Sequence, residues 1–456
     1  MDNLYYGGER PCFSNAAEGI RFSPDVLGTF LRKIYHGFDT SNDIEPTAWR
    51  EALRLINEAT VEGLSRADVP PTHEEEFYRE LRHSNEVFAA FKVHSMGEKM
   101  AAKLTTPDGK LKPFRQWAEE VQGISSHYVG SWLRTEYDTA IIRAHTAADW
   151  RRFERDKDIM PNLRWMPTTS PEPDSAHRVY WQKKLTLPID HPFWNRHRPG
   201  DRWNCKCTLE QTDEPANPDV LDDIKETPSQ KGLENNPGKD GHTFNDTHPY
   251  FPKSCAQCPA YRKSGIKNRL LTLFENRKKD CYNCPFIDGC LELANNDGFV
   301  RKNEYPNGGK LLIHPNVEKG KTDYHPIVNI GQHFAKQGHI VKITPRVHIK
   351  SSEYKTIYGG LMGTKYEGKC PDLQIGKRYY EFEGFVKPWN KKKVGRMLSH
   401  GMAQSPYIII DNSKGGSDRH IRKAIMARMK LSKEIKEVWL YEGGKIRAFY
   451  IEGKFI

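Results

Sequence analysis

From about residue 24 to residue 158, apolar side chains recur every three or four positions, the period of a helix with one buried face. The segments AWREALRLINEATVEGLSR (48–66) and VGSWLRTEYDTAIIRAHTAADWRRFERD (129–156) carry it most clearly. In the second, Trp132, Leu133, Tyr137, Ala140, Ile141, Ala144, Ala148 and Phe153 form one stripe, which predicts a long amphipathic helix with those residues in a core. From Pro161 the period gives way to Pro, Trp, His and short β-like pieces, which predict a turn-rich unit. Residues 211–254 are rich in Pro, Asn, Asp and Gly and have no period that builds a core, so they read as a linker or a wrapping arm.

From about residue 322 the pattern becomes that of an α/β domain. An amphipathic helix over 323–337 is followed by strand HIVKIT (339–344), a polar Lys-rich loop, strand PDLQIG (371–376) and strand RYYEFEGF (378–385). A helix over 389–403, strand YIIIDN (407–412), a helix over 418–431 and the strands EVWLYE and IRAFYI complete it. Tyr407 to Ile410 is apolar on both faces, the mark of a strand buried on both sides. The order αβββαβ with appended elements predicts a mixed sheet with helices on its faces.

At 456 residues the chain is too long for one hydrophobic core, and 20 Tyr, 20 Phe and 10 Trp supply anchors for several. The expected division is a mainly α-helical region over 1–210, the linker or arm over 211–254, a Cys-rich module and connector over 255–320, and the α/β domain over 321–456. There are no internal repeats. No apolar run approaches the roughly 20 residues of a membrane helix, and Met1 to Ile20 lacks the basic and apolar regions of a signal peptide. The expectation is a cytoplasmic or virion-associated protein with no membrane partner. The formal net charge is +11, yet residues 321–456 alone hold 26 Lys+Arg against 12 Asp+Glu, so the positive excess lies wholly in the last third. Such a domain calls for an anionic partner.

Four of the nine cysteines form two CxxC pairs, Cys255/Cys258 and Cys281/Cys284, spaced as a two-knuckle site. Four thiolates suit structural Zn²⁺, which would staple a module too small to bury much apolar surface. Cys290 is a fifth candidate and would fit an iron–sulfur alternative. Cys205-Lys206-Cys207, with His177, His191 and His197 upstream, is a further candidate metal cluster.

The segment HPFWNRHRPGDRWNCKCTLE (191–210), preceded by YWQKKLTLPID and by SWLRTEYDTA, resembles the signature of phage Mu F-like minor head (head morphogenesis) proteins. His191-Pro192-Phe193-Trp194 stands where that family has an Asp-Pro-Phe-Trp type turn, and Cys205-Lys206-Cys207 where it has Cys-Arg-Cys. GLENNPGKDGHTFNDTHPYF continues the likeness, which covers roughly residues 60–252. It implies a structural role near portal or capsid proteins, without catalysis, and makes Phe193, Trp194 and Trp203 packing anchors.

In the C-terminal domain, Pro371-Asp372 opens one strand and Glu381-x-Glu383 lies on the next. With the order of elements, this resembles the PD-(D/E)xK nuclease core, and most of all the tRNA nuclease domain of CdiA-type contact-inhibition toxins. The resemblance implies that Asp372 and Glu381 hold a catalytic Mg²⁺ or Mn²⁺, which activates water and stabilises the leaving oxygen of a phosphodiester. It also implies an immunity protein as a partner. This chain departs from the family in having Glu383 where the family has Lys, so a lysine from elsewhere, Lys387 or Lys391, would supply the positive charge. Lys392, Arg396 and His400 recur at i, i+4 and i+8 on the following helix, and Lys414 and Arg419 follow the buried strand; Lys391, Lys392, Arg396, Lys414 and Arg419 are the candidate nucleic-acid contacts. His400 is also the candidate acid or base of a metal-free site.

Three readings result. The first is a phage-derived head protein carrying a toxin-like nuclease that cuts RNA, with tRNA favoured over DNA. The second is a structural virion protein whose basic C-terminal domain binds packaged DNA without cutting it. The third is a metal-independent RNase toxin centred on His400. Carboxylates repel phosphate unless a metal or a transition state requires them, so the grouped acids favour an enzyme.

Overall fold

The 3.6-residue stripes of the first third close into helices. The computed structural model describes Met1, Leu4 and residues 20–67, 75–168, 175–263, 278–384, 390–432 and 435–456. Lys387 lies outside these residues, and Lys391 and Lys392 are described only in their backbone. The chain divides into two units, Met1–Leu291 and Glu292–Ile456. Among the described residues no helix is long and apolar enough to cross a membrane.

In the first unit the main helices are α1 (Pro24–Tyr35), α2 (Pro46–Ser65), α3 (Glu75–Ala101) and α4 (Trp132–Asp156). Helix α2 starts at Pro46, whose missing N–H costs nothing there, and the Glu45 carboxylate caps it by accepting from Ala48 N–H. Helices α2 and α4 approach so closely that a Cβ on Gly63 would stand 2.3 Å from the Ile141 carbonyl oxygen, so only glycine fits. Between α3 and α4, Lys92 and Glu136 form a fully buried ion pair at 2.8 Å, and Tyr250 Oη donates to Glu136 at 2.7 Å.

Tyr250 belongs to the segment without hydrophobic period, 211–254, which is packed against the helices. Its Leu233, Phe244, Tyr250 and Phe251 are buried, and Phe244 meets the Phe88 ring at 4.3 Å between centroids. Arg143, buried in α4, holds it in place by donating to the carbonyls of Gly200, Leu233, Asn235 and Thr243 and to the Asn235 side chain. A single guanidinium thus satisfies backbone acceptors that regular structure would otherwise have paired. Beside this lies a small antiparallel sheet in the order β2-β1-β3, with β1 Asn162–Met166, β2 Thr186–Pro188 and β3 Thr208–Thr212. Its core gathers Trp165, Tyr180, Phe193, Trp194, Cys205 and Cys207.

The second unit is built on a mixed sheet of nine strands: β4 Val300–Glu304, β5 Lys310–Ile313, β6 Ile340–Ile343, β7 Leu373–Ile375, β8 Arg378–Glu383, β9 Tyr407–Asp411, β10 Glu437–Glu442, β11 Lys445–Ile451 and β12 Lys454–Phe455. Their order in space is their order in the chain. The pairs β5/β6, β8/β9 and β9/β10 are parallel and the others antiparallel. The unit begins earlier than the boundary at 321 suggested by the change of pattern, because β4 and β5 are two of its strands. Helices α6 (Tyr324–Lys336), α7 (Ser352–Tyr358), α8 (Lys391–Gln404) and α9 (Asp418–Ser432) follow that boundary in the chain, with α5 (Ser175–Gln182) belonging to the first unit.

Alternation along the strands assigns the faces. Ile409 packs with Ile327, Ile330 and Phe334 of α6, whereas Ile408 and Ile410 pack with Val394 and Leu398 of α8 and with Ile421 and Ile425 of α9. These three isoleucines are at most 1% exposed, each gaining about 2–3 kcal/mol from burial. Helix α7, within the stretch expected to be a polar loop, sets Tyr354, Ile357 and Tyr358 against Leu312 and Tyr379.

Candidate active site

The pairing of β7 with β8 brings the predicted acids together. Leu373 lies opposite Tyr380, so Asp372, one residue earlier, falls beside Glu381, and Asp372 Oδ2 accepts a hydrogen bond of 3.1 Å from Phe382 N–H. Glu381 and Glu383 share the face of β8 that also carries Tyr379, as period-2 alternation requires. All three carboxylates line one cavity of about 500 Å³ at the carboxyl end of β8, where open α/β sheets present their ligand crevices. His400, from α8, lines the same cavity.

Three residues not singled out by sequence complete the site. Asp323 precedes α6, Lys321 lies just before it, and Arg346 follows β6; all three line the cavity. Arg346 lowers the carboxyl pKa of both Asp372 and Glu381, and Lys321 that of Asp372. Arg346 thus sets a cation beside the acids from another loop. Its sequence signal was its place directly after a readable strand. Asp323 likewise stood at the start of a readable helix.

Burial dominates the electrostatics. It raises Glu381 to about 9, with help from the Asp372 and Glu383 charges. Asp372 rises to about 6, chiefly through burial, and Glu383 to about 7 through burial followed by Asp372 and Asp323. Glu381 is 8% exposed, and its Oε2 has no hydrogen-bond partner among the described residues. An orphaned carboxylate oxygen in an acid-lined cavity fits a hard divalent cation such as Mg²⁺ or Mn²⁺, which would satisfy it and relieve the repulsion.

The remaining candidates are placed elsewhere. Arg396, Lys414 and Arg419 are exposed and do not line the cavity, although Lys414 follows the carboxyl end of β9, next to β8. The loop at Lys414 is shaped by Asn412, which bonds Gly416 in both directions and reaches Glu442. Lys387 and the side chains of Lys391 and Lys392 lie outside the described residues.

Cys255, Cys258, Cys281 and Cys284 all line a separate cavity of about 180 Å³. Burial pushes the Cys258 and Cys281 thiols up, reinforced by the neighbouring cysteines. Among the described residues, the donors drawn within 4.8 Å of one another, and so able to hold a metal ion, are instead His177, Cys205 and Cys207. Of the other two histidines considered with that triplet, His191 accepts from Phe193 N–H and His197 faces Asp201 and Glu226. Family models, curated proteins and solved structures give no match to this chain.

Proposed function

We propose that the second unit is a divalent-metal-dependent nuclease that cleaves RNA phosphodiester bonds, with tRNA as its substrate class. The observation that carries this reading is the cavity itself. Asp372, Glu381 and Glu383, from two adjacent strands, converge there with Asp323, against Arg346, Lys321 and His400. A nucleic-acid-binding surface without chemistry would gain nothing from burying carboxylates beside its phosphates. Asp372 and Glu381 would hold Mg²⁺ or Mn²⁺, which when bound supplies charge for an attacking water and for the leaving oxygen. Arg346 offers a fixed guanidinium fork to a phosphate oxygen, and His400, on the cavity wall, is placed to move a proton. Exposed Arg396, Lys414 and Arg419 contribute to holding the polyanion.

In the same reading, the first unit keeps the role of a phage-derived head protein that meets portal or capsid proteins. Support comes from the burial of the residues that carry the resemblance: Phe193, Trp194, Trp203, Cys205 and Cys207 are all at most 6% exposed. The four CxxC cysteines hold structural Zn²⁺, supported by their convergence on one cavity. An immunity protein covering the acid cavity completes the partner set.

The test is cleavage by the full-length chain, wild type and Glu381→Ala, of total tRNA and of plasmid DNA, with Mg²⁺, Mn²⁺ or EDTA. The proposal expects tRNA to be cut only with metal and only by the wild type. Cleavage that persists in EDTA moves the chemistry to His400. Salt-sensitive binding with no cleavage of either substrate leaves a nucleic-acid-binding virion protein.

A further inference from the structure

A donor set of quite different character lies inside the first unit. His177 sits on α5, while Cys205 and Cys207 flank Lys206 immediately before β3. His177 Nδ1 stands 3.4 Å from Cys205 Sγ and 3.7 Å from Cys207 Sγ. On the far side of the ring, Nε2 meets Asp201 Oδ1 at 2.6 Å. Asp201 is fully buried, and its second oxygen faces His197 Nδ1 at 3.3 Å.

We propose that His177, Cys205 and Cys207 bind a zinc ion that staples helix α5 to the start of β3, with Asp201 fixing the imidazole that ligates it. The distances carry the first part of the argument. Zn–S bonds of about 2.3 Å and Zn–N bonds of about 2.0–2.1 Å, set at a tetrahedral angle, separate nitrogen from sulfur by about 3.6 Å. The two observed separations bracket that value.

The orientation of the ring carries the second part. Nε2 faces the Asp201 carboxylate while Nδ1 faces both sulfurs, the carboxylate–histidine arrangement that orients metal-bound imidazoles. Both sulfurs stand at nearly the same distance from Nδ1, and one cation between the three atoms would engage both thiolates and the ring together. Cys207 N–H also points to Cys205 Sγ at 3.5 Å, a contact that stabilises a thiolate. Two thiolates and a neutral imidazole make the zinc centre electrically neutral, which suits its burial, and soft sulfur donors select Zn²⁺ over Mg²⁺.

The same atoms trace a Cys–His–Asp nucleophile, and burial decides against that role. Cys205, Cys207 and His177 are 6%, 4% and 2% exposed and are enclosed by Trp165, Tyr180, Phe193 and Trp194, so a substrate has no approach to the thiol. A centre buried among these rings has a structural task. It ties a short helix to a short sheet in a region with few long elements.

The experiment uses the full-length chain, to which Zn²⁺ or Co²⁺ is supplied, with bound metal counted by mass spectrometry under native conditions. Replacing Cys255, Cys258, Cys281 and Cys284 by Ser removes the other thiol set from the count. In that background the proposal expects one metal ion per chain beyond any held by the acid cavity and, with Co²⁺, a thiolate-to-metal charge-transfer band. Both are lost in Cys205→Ser/Cys207→Ser. Asp201→Asn keeps the stoichiometry but weakens binding by about 10–100-fold. If the four-serine chain does not fold, the comparison is made between wild type and Cys205→Ser/Cys207→Ser, which must differ by one ion. A folded chain that binds the same number of ions with and without Cys205 and Cys207 overturns the proposal and leaves a hydrogen-bonded thiol pair.

Discussion

Replacing Glu381 by Gln separates stability from activity in a way that only a buried carboxyl with an orphaned oxygen allows. Burial, with Asp372 and Glu383 beside it, raises this group to about 9, against the ordinary value of 4.5 in an unfolded chain. Between those two values the folded protein holds a proton that the unfolded chain has released. Stability from this group is therefore complete below pH 4.5 and drains away as the pH rises towards 9. At pH 7 the loss amounts to about 3 kcal/mol, at 1.36 kcal/mol per unit, and at pH 5 to less than about 1 kcal/mol. Glutamine keeps the shape without the titration, so Glu381→Gln is expected to be more stable than wild type by up to about 3 kcal/mol at pH 7 and nearly equal to it at pH 5. The assay is urea unfolding of the full-length chain in EDTA, with survival of the second unit read by pulse proteolysis at both pH values. Mn²⁺ should stabilise the wild type and leave the glutamine variant unchanged, while nuclease activity is abolished. An equal gain at both pH values, or none, refutes the reasoning.

Arg346→Ala should cut kcat/KM by about 10²-fold and move the acid limb of the pH–rate profile to higher pH, because Asp372 and Glu381 lose the cation that lowers them. Glu136→Gln should cost about 3–5 kcal/mol in thermal unfolding by leaving Lys92 buried without its counter-charge. The cost should shrink at high pH, since burial already holds the Lys92 ammonium below its usual value. Gly63→Ala should cost about 1–3 kcal/mol, measured as a lowered urea midpoint, because the new methyl meets the Ile141 carbonyl.

What the sequence revealed and what it hid have physical causes. Strand β9 was legible because three consecutive isoleucines serve both faces of the sheet, and α6 because Ile327, Ile330 and Phe334 keep the helical period. Strand β4 was not, since as the edge strand it is almost wholly exposed and charged, which reads as a connector. Helix α7 escaped notice because its buried positions are mainly tyrosines among lysines. The acids were found because a β-hairpin joins them locally. Arg346 lies 26 residues before Asp372, and only the sheet brings the two to one cavity. The arm over 211–254 showed no period because its anchors, Leu233, Phe244, Tyr250 and Phe251, pack through turns and through the Arg143 side chain rather than through repeating structure.

The nine-stranded sheet, whose neighbours in space are neighbours in the chain, also sets an order of assembly. A growing chain can add each strand to one already made, and no early strand waits with an open edge for a distant partner. Asp323, Arg346, Asp372, Glu381 and Glu383 all precede residue 384, so the acidic pole of the cavity is in place while α8, which brings His400, is still to be synthesised. A nascent domain of this design passes through a stage in which its charged cleft exists without the wall that would complete it.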